Sequence, residues 1–203
     1  MPSLRVSLNG QCLAEVDVAG LDVLNVRVSG ARVDGDLAEV HMSGAAFPTD
    51  AAPTTLFWFD DPVVLNEGDR VEVSFNAVGS TSHPGKTINE LFPGKAEAHE
   101  KVNVLDLLPQ VIQELRAEPY VREGYRFAVE PPGTQRYEGT TGEGDHGFGF
   151  SVLWNSHGPE RASVSLHTYV LDDLEHRRPM PDHVRTHLAP GDTASLQLWT
   201  LHR

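Results

Sequence analysis

The sequence predicts a mainly β protein: an antiparallel, sandwich-like architecture with one amphipathic helix between two sets of strands. Three observations carry that expectation. Apolar and polar residues alternate at the strand period in the first third and again in the last. Turn-forming pairs punctuate those runs. Helical spacing is convincing in a single segment. The 203 residues are 39% apolar and 22% charged, enough for a packed core and for one large sandwich or two smaller domains.

The first strands follow from turn chemistry. LRVSL and QCLAEV flank Asn9-Gly10, a pair suited to a two-residue type I′ hairpin because both positions tolerate positive φ. In DVLNVRVSG, Leu24, Val26 and Val28 share one face, and Asn25 and Arg27 the other. Asp34-Gly35 precedes LAEVHMSG, and TLFWF and RVEVSF complete about six strands. Between Asn103 and Glu118, Leu108, Val111, Ile112 and Leu115 are spaced i, i+3, i+4, i+7, which predicts a helix over about 107–117. Pro109 suits its first turn, where a missing N–H costs nothing. The stripe is expected to cover an open end or face of β structure. YRFAV, FGFSVLW, RASVSLHTYV, HVRTHL and ASLQLWTL follow as strands. PPGTQRYEGTTGEGDHG, with five glycines in seventeen residues, reads as a mobile loop. The expected organisation is an N-terminal β unit over 1–85, a connector over 86–124 and a C-terminal β unit over 125–203.

One regularity links the two ends. Asp60-Asp61 and Gly68-Asp69 in the first half resemble Asp172-Asp173 and Gly191-Asp192 in the second, each Gly-Asp lying in an L-x-x-G-D stretch before a strand. Two readings stay open: two related β units, or independent turns built from common turn residues.

Charge constrains partners. The net charge is −13, with 15 acids and 7 bases in residues 1–102 and 14 acids and 9 bases in residues 103–203. Neither half is a basic module, which disfavours nucleic acid. No apolar run approaches the ~20 residues of a membrane span, and MPSLRVSLNG has no secretory pattern. With a single cysteine, Cys12, the expectation is a cytoplasmic protein with no membrane association. Cys12 falls within a hairpin strand, where cysteine behaves as a small hydrophobe.

GSTSHPGKT at 79–87 ends like a phosphate-binding loop but lacks its geometry. Gly79 and Gly85 enclose five residues instead of four, Pro84 removes an N–H from the cradle, and only TINELF follows before Pro93-Gly94. No nucleotide and no cofactor are expected. Ten histidines raise a metal alternative. His183 and His187 are spaced like ligands on a helix, but alternating Val184, Thr186 and Leu188 indicate a strand. There the two imidazoles would stand about 13 Å apart, with Arg185 between them in an outward cationic stripe. Asp145-His146 is a loop pair that could orient an imidazole for base chemistry, without an identifiable nucleophile beside it. Trp58, Trp154 and Trp199 lie inside apolar strands and read as core residues.

The function class that accounts for most of these features is a non-catalytic acidic binding protein for a basic partner, of the immunity or inhibitor type. Asp60, Asp61, Glu67, Asp69 and Glu72 are its candidate contacts. The alternatives are a metal-assisted enzyme using histidine and aspartate, and a carbohydrate-binding or assembly module. ATP or GTP with magnesium should leave the melting temperature unchanged; thermal unfolding with and without nucleotide measures this directly.

Overall fold

The computed structural model describes residues 1–93 and 104–201. Part of the expected connector and the last two residues therefore lie outside the described residues. In chain order the elements are β1 (Ser3–Leu8), β2 (Gln11–Asp17), β3 (Val23–Ala31), β4 (Ala38–Ala46), β5 (Thr54–Phe57), β6 (Val63–Leu65), β7 (Arg70–Asn76) and α1 (Ile88–Leu91). There follow α2 (Val104–Ala117), β8 (Gly124–Glu130), β9 (Tyr137–Thr140), β10 (Gly147–Asn155), β11 (Ala162–Tyr169), α3 (Leu171–Glu175), β12 (Asp182–Leu188) and β13 (Thr193–Leu201).

The strands form two antiparallel sheets packed face to face. One runs β2-β1-β7-β13-β8-β9; the other runs β12-β11-β10-β3-β4-β5, with β6 also on β4. Alternation decides which side is buried. On β7, Val71, Val73 and Phe75 are buried between half-exposed polar neighbours, and on β3 Leu24, Val26 and Val28 point the same way. One apolar cluster joins Leu4, Val6 and Val73 of the first half to Phe127, Val152 and Leu196 of the second, so both halves share a single core.

The chain traces the same path twice. In each half a hairpin (β1–β2, β8–β9) lies in one sheet and a pair (β3–β4, β10–β11) in the other. A strand beside that pair (β6, β12) then crosses back to a strand beside the hairpin (β7, β13). Registers match along with order. Ala38 pairs with Leu65 as Ala162 pairs with Leu188, 124 and 123 positions later. Leu4 and Val6 oppose Phe75 and Val73; Phe127 and Val129, 123 positions on, oppose Leu198 and Leu196. The halves meet where β7 pairs with β13 and β3 with β10, each antiparallel to its counterpart.

The L-x-x-G-D stretches make the two crossings. In one, the Asn66 N–H donates to the Asp69 carboxylate at 2.8 Å and the Asp69 N–H returns to the Asn66 carbonyl at 3.1 Å. Ala189 and Asp192 repeat this at 2.8 and 2.9 Å. Gly68 and Gly191 both take positive φ, +78° and +101°, which explains the glycine before each aspartate. The Asp-Asp part of the regularity does not superpose. Asp60-Asp61 lies in the connection from β5 to β6, whereas Asp172-Asp173 opens α3. Asn9 and Gly10, at φ +52° and +80°, form the hairpin turn their pairing predicts.

Three local readings are corrected. The glycine-rich stretch expected as a loop contains β9, held to β8 from Tyr137 to Thr140; backbone pairing overrides its glycine content. The helix begins at Val104, so Pro109 lies inside it and removes one intrahelical hydrogen bond. The helix also covers the sandwich less than its stripe suggests. Ile112 is buried, yet it lies outside the core cluster, Leu108 and Leu115 are half-buried, and Val111 is exposed. α2 packs instead on α3, tied by Arg116 to Asp172 and Glu175 at 2.5 and 2.7 Å. Ile112→Ala should therefore cost about 2–5 kcal/mol, while Val111→Ala stays within about 0.5 kcal/mol, as read from urea unfolding.

Candidate functional site

The stretch that resembles a phosphate-binding loop is a strap across one side of the sandwich. That side lies between edge strand β2 of one sheet and β5 of the other. The Gly79 N–H donates to the Met1 carbonyl at 3.0 Å, and the Ser82 N–H to the Glu15 carbonyl at 2.8 Å. The Thr81 N–H and hydroxyl both donate to the Asp17 carboxylate, at 3.2 and 3.0 Å. At the far end Lys86 and Phe57 exchange both backbone hydrogen bonds at 2.8 Å. These N–H groups face protein acceptors, so they make no anion cradle. Thr87 caps α1 in a reciprocal arrangement with Glu90.

A cleft of about 370 Å³ opens beside the strap, lined by Phe57, Trp58, Phe59, Asp60, Asp61, Val63, His83, Pro84 and Lys86. Trp58 fits at its base because Gly44 and Gly85 flank it; a Cβ on either would come within 3.1 Å of the indole. Trp58 is 5% exposed, and its Nε1–H finds no acceptor among the described residues. That donor is itself buried, so leaving it unmet costs the fold part of its desolvation energy. His83 bridges strap and cleft, with Nε2 2.9 Å from the Trp58 carbonyl and Nδ1 3.0 Å from the Ser82 hydroxyl. The Lys86 ammonium donates to Asp60 at 2.5 Å, in an exposed pair worth only about 0–1 kcal/mol. The cleft thus combines aromatic walls with two carboxylates against one ammonium.

Only some of the other candidate acids join this cleft. Asp69 is structural: its carboxylate accepts from the Asn66 N–H and from Asn9 at 2.7 Å. These bonds hold it below the usual carboxylate range although burial pushes the other way. Glu67 accepts the Thr200 N–H at 3.0 Å. Glu72 stands on the outer face of β7 beside Arg70 at 3.2 Å, and Arg70 also reaches Glu130 at 2.7 Å. Asp60 and Asp61 alone line the cleft.

His146 is placed differently from its loop reading. It is 1% exposed, its backbone N–H donates to the Tyr169 carbonyl at 2.7 Å, and its ring lies between Tyr120 and Tyr169 with centroids 5.7 and 5.9 Å away. Asp145 does not orient it; the Asp145 carboxylate accepts the Gly142 N–H at 2.6 Å. Both imidazole nitrogens lack a partner among the described residues. Burial lowers the His146 pKa, nearby Asp34 opposes this, and the Arg32 guanidinium adds to it. Arg32 itself is buried, donates to the carbonyls of Glu143 and Asp145 at 2.9 and 3.1 Å, and stacks over Tyr120 at 3.9 Å.

His183 and His187 lie on strand β12 as the alternation predicts, but not in one outward row. A bulge opposite Leu166 and His167 turns His183 inward, 3.0 Å from the Thr168 hydroxyl and stacked on Tyr137 at 5.9 Å. His187 stays exposed. Among the described residues no group of three or more His, Cys, Asp or Glu side chains is placed to hold a metal. Of the tryptophans, Trp58 and Trp154 are buried, whereas Trp199 is half-exposed on the outer face of β13 under Arg126 at 4.5 Å. Cys12 is exposed at the bulge of β2 instead of buried. Among the described residues no helix is long and apolar enough to cross a membrane. Comparison with protein families, curated proteins and solved structures finds no match.

His146 and the partly buried His167 both have lowered pKa values. A histidine kept neutral by folding contributes stability that is complete above the unfolded value of about 6.5 and is lost as pH falls below it. Stability should therefore decline between about pH 6.5 and 5, before the carboxylates titrate. His146→Phe, which replaces the imidazole with an aromatic ring that carries no polar atom, should shrink the difference in melting temperature between pH 7.5 and 5.5.

Proposed function

We propose that the protein is a non-catalytic binding protein for a basic protein partner, of the inhibitor or immunity type, with the cleft beside Asp60 and Asp61 receiving a Lys or Arg side chain. The observation that carries this reading is the aromatic-walled cleft with two carboxylates at its rim. An entering guanidinium pairs with Asp61, competes with Lys86 for Asp60 and lies against Phe57 or Phe59, where a cation–aromatic contact adds about 0.5–2 kcal/mol. The net charge of −13 supports steering of such a partner. Glu67 and Asp69 contribute to that field but also serve the fold, so the contact itself falls to Asp60 and Asp61.

A carbohydrate is the second reading, favoured by the aromatic walls of the cleft at Phe57 and Phe59, against which a sugar ring can stack. A partner isolated from the source cell separates the two. For a basic partner, Asp60→Asn with Asp61→Asn should slow association several-fold, with a smaller change in dissociation, and the rate should fall steeply with salt. The melting temperature should hold, whereas Asp69→Asn should lower it. A glycan array that lights up, with no salt-dependent protein partner, would decide for the sugar.

A further inference from the structure

The doubled path makes the two sides of the sandwich comparable, and they differ. On the first side the strap bridges β2 and β5. The matching position in the second half lies between β9 and β12, and no described strand pairs with the outer edge of β9. Registers fix the correspondence. Glu15 of β2 faces Arg5, and Glu138 of β9, 123 positions later, faces Ala128, the counterpart of Arg5. Glu15 gives its N–H to the Ser82 hydroxyl at 3.2 Å and its carbonyl to the Ser82 N–H at 2.8 Å. Glu138 presents the same two groups to the open side. Between β9 and β12 lies a groove of about 360 Å³, lined among others by Pro131, Arg136, Tyr137, His183, Arg185 and Thr186.

We infer that this groove docks an extended, acidic segment of a partner protein, which adds to β9 as the strap adds to β2. The occupant's charge follows from comparing the sides. The strap carries His83 and Lys86 and lies against Glu15, Asp17 and Asp60, a basic segment on an acidic side. The groove differs in what faces its interior: its lining has two arginines and no carboxylate, while Glu130, Glu138 and Asp182 stand at its margin, each paired with one of those arginines. Arg136 spends Nη1 on Glu130 and Nε on Glu138, and Arg185 spends Nη2 on Asp182, so each guanidinium keeps N–H donors for an incoming carboxylate. His183, stacked on Tyr137, forms the floor. Strand addition to an edge with side-chain selection by flanking pockets is an established recognition mode. This site is separate from the Asp60–Asp61 cleft and does not depend on it.

The test uses the full chain and labelled peptides that copy residues 77–88, one with His83 and Lys86 both replaced by Glu, the other unchanged. Fluorescence anisotropy should give saturable binding of the acidic copy, at least tenfold tighter than the unchanged one. Arg136→Glu with Arg185→Glu should weaken it at least tenfold. Glu138→Pro, which removes an edge N–H without breaking the β8 pairing, should do the same with an unchanged circular dichroism spectrum. Absence of binding, a preference for the unchanged copy, or indifference to Glu138→Pro would each overturn the inference. So would sedimentation showing a dimer that Glu138→Pro dissociates, since the groove would then hold a second copy of this chain.

Discussion

The pairing of β7 with β13, and of β3 with β10, is the constraint on which everything else rests. Each half supplies three strands to one sheet and a comparable set to the other. Joined at these two seams, the half-sheets become two wide sheets, and Leu4, Val73, Phe127 and Leu196 reach a common interior. The Gly-Asp turns follow from this demand. A chain that crosses from an edge of one sheet to the centre of the other needs a tight reversal with its N–H groups satisfied, and Asp69 and Asp192 satisfy them.

How much of this was legible depended on whether the deciding signal was local. The hairpin at Asn9-Gly10, the buried faces of β3 and β7 and the strand character of His183–Leu188 all follow from turn chemistry and two-residue periodicity, which belong to the segment itself. The L-x-x-G-D recurrence was visible, but only pairing registers separate repeated architecture from repeated turn chemistry. β9 escaped because its four residues are ordered by β8 and carry little preference of their own. His183 was read with the wrong orientation because a bulge shifts alternation by one residue, and nothing in the composition of β12 marks it. The apolar stripe of α2 was real, but its main neighbour is α3, a five-residue helix with no strong periodicity.

The candidate cleft was legible in pieces. Asp60 and Asp61 stand out as acids and GSTSHPGKT as an apparent phosphate loop, and sequence alone does not bring them together, since the strap places residues some 25 positions apart within hydrogen-bonding distance. The Gly-Lys-Thr ending carried a different meaning from its appearance. Lys86 closes a backbone pair with Phe57 and reaches Asp60, while Thr87 caps a helix of a single turn. His146 shows the converse. Beside an aspartate in a glycine-rich stretch it reads as a loop residue poised for base chemistry, but its backbone belongs to the approach of β10, and three aromatic or cationic neighbours enclose its ring.

The antiparallel seams have a consequence for how such a chain could arise and change. A strand paired with its own counterpart about a two-fold axis is the interface of a symmetric dimer, and here one polypeptide supplies both subunits. Tethering holds the second subunit at a high effective concentration, so assembly no longer depends on how much protein the cell makes. It also lifts the requirement that both copies remain identical. Any substitution in a true dimer appears twice, on both flanks at once. In the fused form each flank mutates independently, and the flank near β12 can acquire arginines while its twin keeps aspartates.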